Sequence, residues 1–379
     1  MKKILSILVL FLVFVNVAEA VTARTRYVNT ASSAGGDCST NATSGSARAC
    51  ATLSDAIVNN AADLVAADVY LDVICEGSSP DTSAVNITGY TTDATHYIGI
   101  RTTQANRHDG KWNTSKYRIE NSDYFKVINI DESFVRIDGL QIKTTGNDDA
   151  GARAILLASG AANGDIRITN TIMRYAPTGT TTTSNTNQAI RVPSGTANGI
   201  KLTLVNNIAY DFHRGSLSFT TDGTDGDQLY AYNNTFYNSD SGAGNSLEMS
   251  LYGTNDTVKL RNNVIQACGG GCYFRDGTAS TFTTQDNVTQ DASSPDGASY
   301  QSKTVSFVDT SGRDLHLQAG DTAAKGQAAD LSADGDYAFS TDIDGTARVA
   351  PWDCGADQQG SGGGGGGGTL GRGFNTGFN

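Results

Sequence analysis

The side chains best suited to chemistry gather on one strip of a repeat alignment: Arg191, His213, Arg214, Glu248 and Tyr273. An arginine can hold a carboxylate through two parallel hydrogen bonds. A guanidine or imidazole can take a proton while a second arginine neutralises a carboxylate on the reacting molecule. The same set could bind without reacting, with Tyr273 as a flat platform for a ring and Arg275, two residues on, extending the charge. Arg174 and Tyr210 stack in adjacent copies when the chain is aligned on its asparagines. The catalytic candidates are therefore Arg191, His213, Arg214 and Glu248, and the binding candidates are Arg191, Tyr273, Arg275, Tyr210 and Arg174. A solvated face with ordinary ion pairs would hold the same residues, each pair contributing little.

Metal chemistry has a thinner basis. Cys268 and Cys272 form a CxxxC, but no second Cys/His pair accompanies them at useful spacing. Asp342-Ile343-Asp344-Gly345 could open a calcium loop, yet five further ligands in order are not evident. A turn with an Asp–Arg348 contact is the expectation there, and no cofactor is predicted, calcium being the one alternative.

These residues must be placed by a repeat. Ile166-Arg-Ile168-Thr-Asn170-Thr-Ile172 is echoed by Leu202-Thr-Leu204-Val-Asn206-Asn-Ile208, Tyr230-Ala-Tyr232-Asn-Asn234-Thr-Phe236 and Val258-Lys-Leu260-Arg-Asn262-Asn-Val264. Weaker copies run from Val135 and from Phe282, and the spacings from Asn170 are 36, 28, 28 and 24 residues. Alternation with period two predicts strands. An asparagine after each strand predicts a turn, since Asn tolerates left-handed backbone and bonds its neighbours. Stacked once per coil, Asn170, Asn206, Asn234 and Asn262 would form a structural ladder of side-chain amides. Ile166, Leu202, Tyr230, Val258 and Phe282 would form one inward core row. A second strand precedes each motif, with Leu156, Arg191, Ser218, Glu248 and Tyr273 outward, and a short third strand follows it. Three strands per coil define an all-β, right-handed parallel β-helix, a solenoid that grows without splitting its core. An antiparallel sandwich would not explain the recurrence of one motif at one place.

The ends read differently. Lys2 and Lys3, about fourteen mostly apolar residues over 4–17, and Ala18-Glu19-Ala20 have the layout of a secretory signal peptide over residues 1–20. The run is shorter than the ~20 apolar residues of a spanning helix, and no later segment is apolar enough, so no membrane span is expected in the mature chain. Residues 21–66 form an N-terminal cap, with a short helix opening at Thr52 or Ser54. Residues 67–357 hold the β-helix and its C-terminal closure, with a polar excursion over 102–116, and 358–379 a Gly-rich linker and tail. Six cysteines in an exported chain suggest disulfides. Cys38–Cys50 and Cys268–Cys272 are the local candidates, while Cys75 and Cys354 fall near opposite ends and read as buried thiols. Without the leader the charge is −13, from 25 basic and 38 acidic side chains. That argues against nucleic acid or an anionic membrane as the main partner and fits an extracellular or cell-surface protein. Oligomeric state is not legible.

The coil motif, the N-terminal stretch and the closure Asp342-Ile-Asp344-Gly-Thr-Ala-Arg348 with Asp353-Cys-Gly-Ala356 resemble the pectate-lyase-like right-handed parallel β-helix superfamily. They are most similar to its exported bacterial members, although Cys354 stands where those have an apolar residue. The resemblance spans roughly residues 27–357 and implies the fold; fold alone does not fix activity. It implies acidic polysaccharides as substrate class, and a groove along the strand preceding the Asn turn. The aspartate group and Gly-His-Gly of polygalacturonase-like hydrolases are absent from the sequence. Asp148-Asp149 and Asp222-Gly-Thr-Asp225-Gly-Asp227 fall in turns rather than in the acidic cluster of a pectate lyase. Three readings follow: a protein that binds a polysaccharide or cell-surface glycan or mediates adhesion; a polysaccharide lyase or glycoside hydrolase; or a structural surface or matrix protein.

Overall fold

The computed structural model describes residues 21–122, 126–146, 151–176, 187–195, 198–223, 226–239, 245–279 and 281–360. The predicted leader, Asp148, Asp149, Asp225, and the glycine run with its tail lie outside the described residues.

Among the described residues, each coil contributes one strand to each of three parallel sheets, of nine, eight and seven strands. Sheet one holds the strands before the Asn turn, such as Asp165–Thr169, Lys201–Val205 and Gln228–Tyr232. Sheet two holds those after it, such as Ile172–Tyr175 and Ile208–Tyr210. Sheet three holds the strands that lead back to sheet one, such as Gln188–Val192, Gly215–Thr221 and Asn245–Leu251. This is the stacking of a parallel β-helix. Strands lie side by side because each coil repeats the last, so every inward residue meets its counterpart about 4.8 Å away.

The core is a set of such rows. One runs Leu71, Ile98, Val135, Ile166, Leu202, Leu229, Val258 and Phe282. Leu229, not Tyr230, occupies this row, so the predicted alignment is one residue off in that coil. Tyr230 pairs with Thr203 and Lys259 and faces outward. The cause is physical. Tyr230 and Tyr232 are buried from outside by Leu331, Phe339 and Trp352, so Leu229-Tyr-Ala-Tyr232 is apolar on both faces and its alternation carries no phase.

The same slip splits the predicted asparagine row in two. Asn170, Asn206, Asn233 and Asn262 carry the left-handed backbone, with φ from 49° to 58°. Asn234 belongs instead to a second row one residue along, with Asn207, Asn263 and Asn287. This inner row is the continuous ladder. Nδ2 of Asn207 donates to Asn234 Oδ1, Asn234 to Asn263, and Asn263 to Asn287, at 3.0, 3.0 and 2.7 Å. Each Nδ2 also donates to a main-chain carbonyl of the preceding coil, such as Ile168 or Leu204. All four side chains are buried, so the bonds are what makes their burial tolerable.

A six-residue helix, Leu53–Val58, covers the first coil with Leu53, Ala56 and Ile57 turned inward. Thr52 is its N-cap, its hydroxyl accepting the Asp55 N–H at 3.0 Å. Cys38 and Cys50 lie 4.8 Å apart at Cα and Cys268 and Cys272 5.1 Å, each pair disulfide-bonded, while Cys75 and Cys354 are free and buried. At the far end Asp291 and Ser293 accept the N–H groups of Cys272 and Tyr273, which blunts the exposed strand edge.

The C-terminal segment does not lie over the last coil. It runs back along the outside of sheets one and two. Val305, Phe307, Leu315 and Leu317 pack on Ile172, Ile208 and Tyr210. Asn206 Nδ2 donates to Thr341 O and Asn233 Nδ2 to the carbonyls of Asp353 and Gly355. The expected Asp–Arg348 contact is one of charge rather than a hydrogen bond: Asp342 is the first of three aspartates that favour the Arg348 charge, while Arg348 donates to Asn206 Oδ1 and to the carbonyls of Asp353, Gly355 and Ala356. Asp342 Oδ1 accepts the N–H groups of Asp344 and Thr346, and its Oδ2 that of Gln358. Oδ1 of Asp342 thus holds the turn, and its Oδ2 ties that turn to the end of the described chain.

Candidate functional site

The outward row of sheet three is built by register alone. Asn86, Asn129, Leu156, Arg191, Ser218, Glu248 and Phe274 are successive partners across seven strands. Arg191 and Glu248 are separated by the Ser218 strand, about 10 Å at the usual spacing. Arg214, in the turn that enters the Gly215–Thr221 strand, reaches across to Glu248 with Nε and Nη2, at 3.3 and 3.2 Å. Arg191 donates to Gln188 Oε1 at 3.2 Å.

Sequence reasoning missed Arg153. It starts its strand opposite Gln188, which accepts from Arg191, and so lies beside the row. Alternation gave no signal for it: two residues before inward Ile155, Arg153 reads as an inward position. Burial, with Arg191 and Arg214 adding repulsion, pushes Arg153 down to about 10. Burial and then Arg214 lower Arg191 as well, with Glu248 opposing. Among the described residues, three guanidinium groups thus share a patch with one carboxylate, Glu248, which is bonded to Arg214. Among the described residues, Arg153 and Arg191 bond no carboxylate. Such a patch attracts an anion: one arriving would relieve the mutual repulsion and accept the spare donors.

His213 stands next to this group, its ring edge-on to Tyr175 at 5.3 Å. The other candidates lie elsewhere. Tyr273 pairs with Leu247, not Glu248, and Phe274 takes the outward place at 42% exposure. Tyr273 and Arg275 therefore stand over the end of the core. There, with Phe274, Phe282, Thr284 and Pro295, they line an open depression, and Arg275 lies 4.2 Å from the Phe282 ring centre. The slip arises because Cys272, Tyr273 and Phe274 are all apolar enough for either face. Arg174 and Tyr210 do neighbour each other, in sheet two, but they are covered. Tyr210 is 1% exposed, burial pushes its hydroxyl up to about 12, and Arg174 lies 5.0 Å from the Trp112 ring centre. Tyr210 cannot meet a polymer without displacing the C-terminal segment that packs on it, while Arg174 is half-buried beside Trp112.

The acidic turns have local tasks. Asp222 accepts the Gly195 N–H at 2.8 Å and Asp227 that of Ile200 at 3.1 Å. Burial raises Asp227 to about 6. A second group was not foreseen as a group, although Asp344 was weighed for a calcium loop: His316, Asp344 and Asp357 each present a ligand atom, all within 4.8 Å of one another.

No protein-family model matches the chain, and no curated protein is significantly similar to it.

Proposed function

We propose that the protein is an extracellular or cell-surface β-helix that binds acidic glycans along the outward row of sheet three. The observation that carries this reading is the Arg153–Arg191–Arg214 patch, in which, among the described residues, Arg153 and Arg191 have no carboxylate partner. A uronate or sulfate group suits those donors, and the flanking Asn86–Asn129 pair, bonded at 2.6 Å, offers amides to hydroxyl groups. The export signal read in the sequence and the disulfide-bonded cysteines agree with such a location. The resemblance to pectate-lyase-like proteins adds the substrate class. The test is an array of acidic and neutral polysaccharides probed with the purified chain and with an Arg153→Ala/Arg191→Ala variant. Binding to acidic members that the variant loses is the expected result. No binding to any member, or binding the variant retains, overturns the reading and leaves a structural surface role.

A second reading is a polysaccharide lyase, favoured by the place of His213 in the turn beside Arg214, its ring edge-on to Tyr175. The His213 imidazole could take the proton beside a uronate carboxylate while Arg191 or Arg153 neutralises that carboxylate. Incubation with uronate polymers, followed by ultraviolet absorbance of unsaturated ends, decides it. Absence of signal, or a signal unchanged by His213→Ala, removes this reading.

A further inference from the structure

We propose that His316, Asp344 and Asp357 form a binding site for a divalent cation of the zinc type. The site lies away from the arginine patch and does not rest on the glycan reading. His316 and Asp344 come from the C-terminal segment, where it passes the excursion carrying Gly110. The Nδ1 side of His316 is held by the Asp314 carboxylate, itself paired with Lys111 at 3.1 Å. That leaves Nε2 facing Asp344 Oδ2 at 3.1 Å. A carboxylate behind a histidine, fixing its tautomer and raising its basicity, is the usual outer partner of a metal-bound imidazole.

Two further observations point to a ligand. Asp344 Oδ1 is sealed from solvent and has no hydrogen-bond partner, a condition that costs free energy unless something completes it. Gly110, at φ +73°, keeps open the space between the same groups: a Cβ there would fall 2.3 Å from both Asp344 Oδ1 and His316 Nε2. A side chain at position 110 would therefore push apart the two atoms that an ion would have to draw to about 2.0–2.2 Å from itself. Asp357 is 6% exposed and its Oδ2 also accepts the Leu317 N–H at 2.7 Å; a carboxylate has lone pairs for both. One imidazole with two carboxylates suits zinc better than calcium or magnesium, which favour all-oxygen shells. Three protein ligands leave a fourth position for water or another donor.

The competing arrangement is an imidazolium bridging Asp314 and Asp344 with no ion. Chelator-stripped, full-length protein titrated with zinc in a calorimeter separates the two, read together with nitrogen-15 spectra of His316. The expected result is saturable binding of one zinc per chain, with His316 Nε2 losing its proton. Gly110→Ala, which keeps every ligand, should weaken binding by about tenfold or more, a loss of the order seen for outer-shell changes, and His316→Ala should abolish it. A His316 ring that keeps both N–H protons through the titration overturns the proposal. So does binding that neither substitution alters. Should His316→Ala fail to fold, the native-chain spectra and Gly110→Ala decide alone.

Discussion

Arg348 donates to Asn206 Oδ1 at 2.9 Å across 142 residues of chain. The bond ties the returning C-terminal segment to a turn in the middle of the solenoid. The same guanidinium satisfies the carbonyls of Gly355 and Ala356, both at 2.9 Å, and that of Asp353 at 3.2 Å. Arg348→Met keeps much of the volume and removes every donor, so Asn206 Oδ1 loses its partner, the carbonyls of Asp353, Gly355 and Ala356 keep only their bonds from Asn233 and Ile343, and the buried Asp342 and Asp357 lose a compensating charge. A loss of about 3 kcal/mol is expected in denaturant unfolding. Limited proteolysis should then cut within residues 320–357 before the coils. Cleavage no faster than in the native chain would mean that packing alone holds the segment.

The inner asparagine ladder and the left-handed turn row should respond oppositely to substitution. Asn234 Oδ1 accepts both the N–H and the Nδ2 of Asn207, each at 3.0 Å, and its own Nδ2 reaches Leu204 O and Asn263 Oδ1. Asn234→Ala leaves several buried groups unpaired and should cost about 3 kcal/mol. Asn170 has φ +49°, donates to Asp138 Oδ1 at 2.7 Å and accepts a long bond from Asn206 Nδ2 at 3.3 Å, a group that also donates to Thr341 O. Asn170→Gly suits that backbone and should cost about 1 kcal/mol or less. Thermal unfolding of the two variants checks the ranking; equal losses would deny the ladder its special standing.

What the sequence disclosed depended on contrast between the faces of each strand. Ile166-Arg-Ile168-Thr and Val258-Lys-Leu260-Arg alternate cleanly, and their phase is that of the structure. Phase failed at Tyr230, where Trp352 and Phe339 bury the outer face, and at Tyr273, where the solenoid ends. Both are effects of distant chain that no local pattern records. The separation of Arg191 from Glu248 by one strand followed from the repeat. The cover over Arg174 and Tyr210 did not, because nothing in residues 300–357 says which side of the solenoid they will take. For the same reason His316, Asp344 and Asp357, far apart in sequence, could not be seen as one group.

Acid should weaken the protein through His108. Its ring is buried, Nε2 donates to Asn170 O at 2.8 Å, and Nδ1 faces the Gly110 N–H at 3.3 Å. Burial, then the nearby Arg107 charge, brings its pKa down to about 4, against weaker opposing pulls from Asn170 O, Asp344 and Asp138. The unfolded chain binds a proton near pH 6.5 and the folded chain only near 4. Stability from this group is therefore complete above about pH 6.5 and is lost as pH falls toward 4, by an amount on the order of 3 kcal/mol. His108→Gln can keep the donation to Asn170 without titrating. Its unfolding free energy should fall less between pH 6.5 and 4 than that of the native chain; parallel curves would contradict the assignment.

The arginine patch makes a prediction of two signs. Arg153 and Arg191 repel each other and Arg214, with a single carboxylate among the described residues, Glu248, against the three. Replacing Arg153 with Gln removes a repulsive partner and keeps an amide donor, so stability should hold within about 0.5 kcal/mol or rise. Affinity for an acidic glycan should fall at the same time. A hydrogen bond to a charged group contributes about 1.5–3 kcal/mol, so the loss should be tenfold or more, while neutral glycans are unaffected. Raising the salt should weaken native binding in the same direction, since part of the attraction is screened charge. Isothermal titration beside thermal unfolding reads both signs on one sample. A patch that served only to stabilise the coil would show the reverse: lower melting temperature with affinity unchanged.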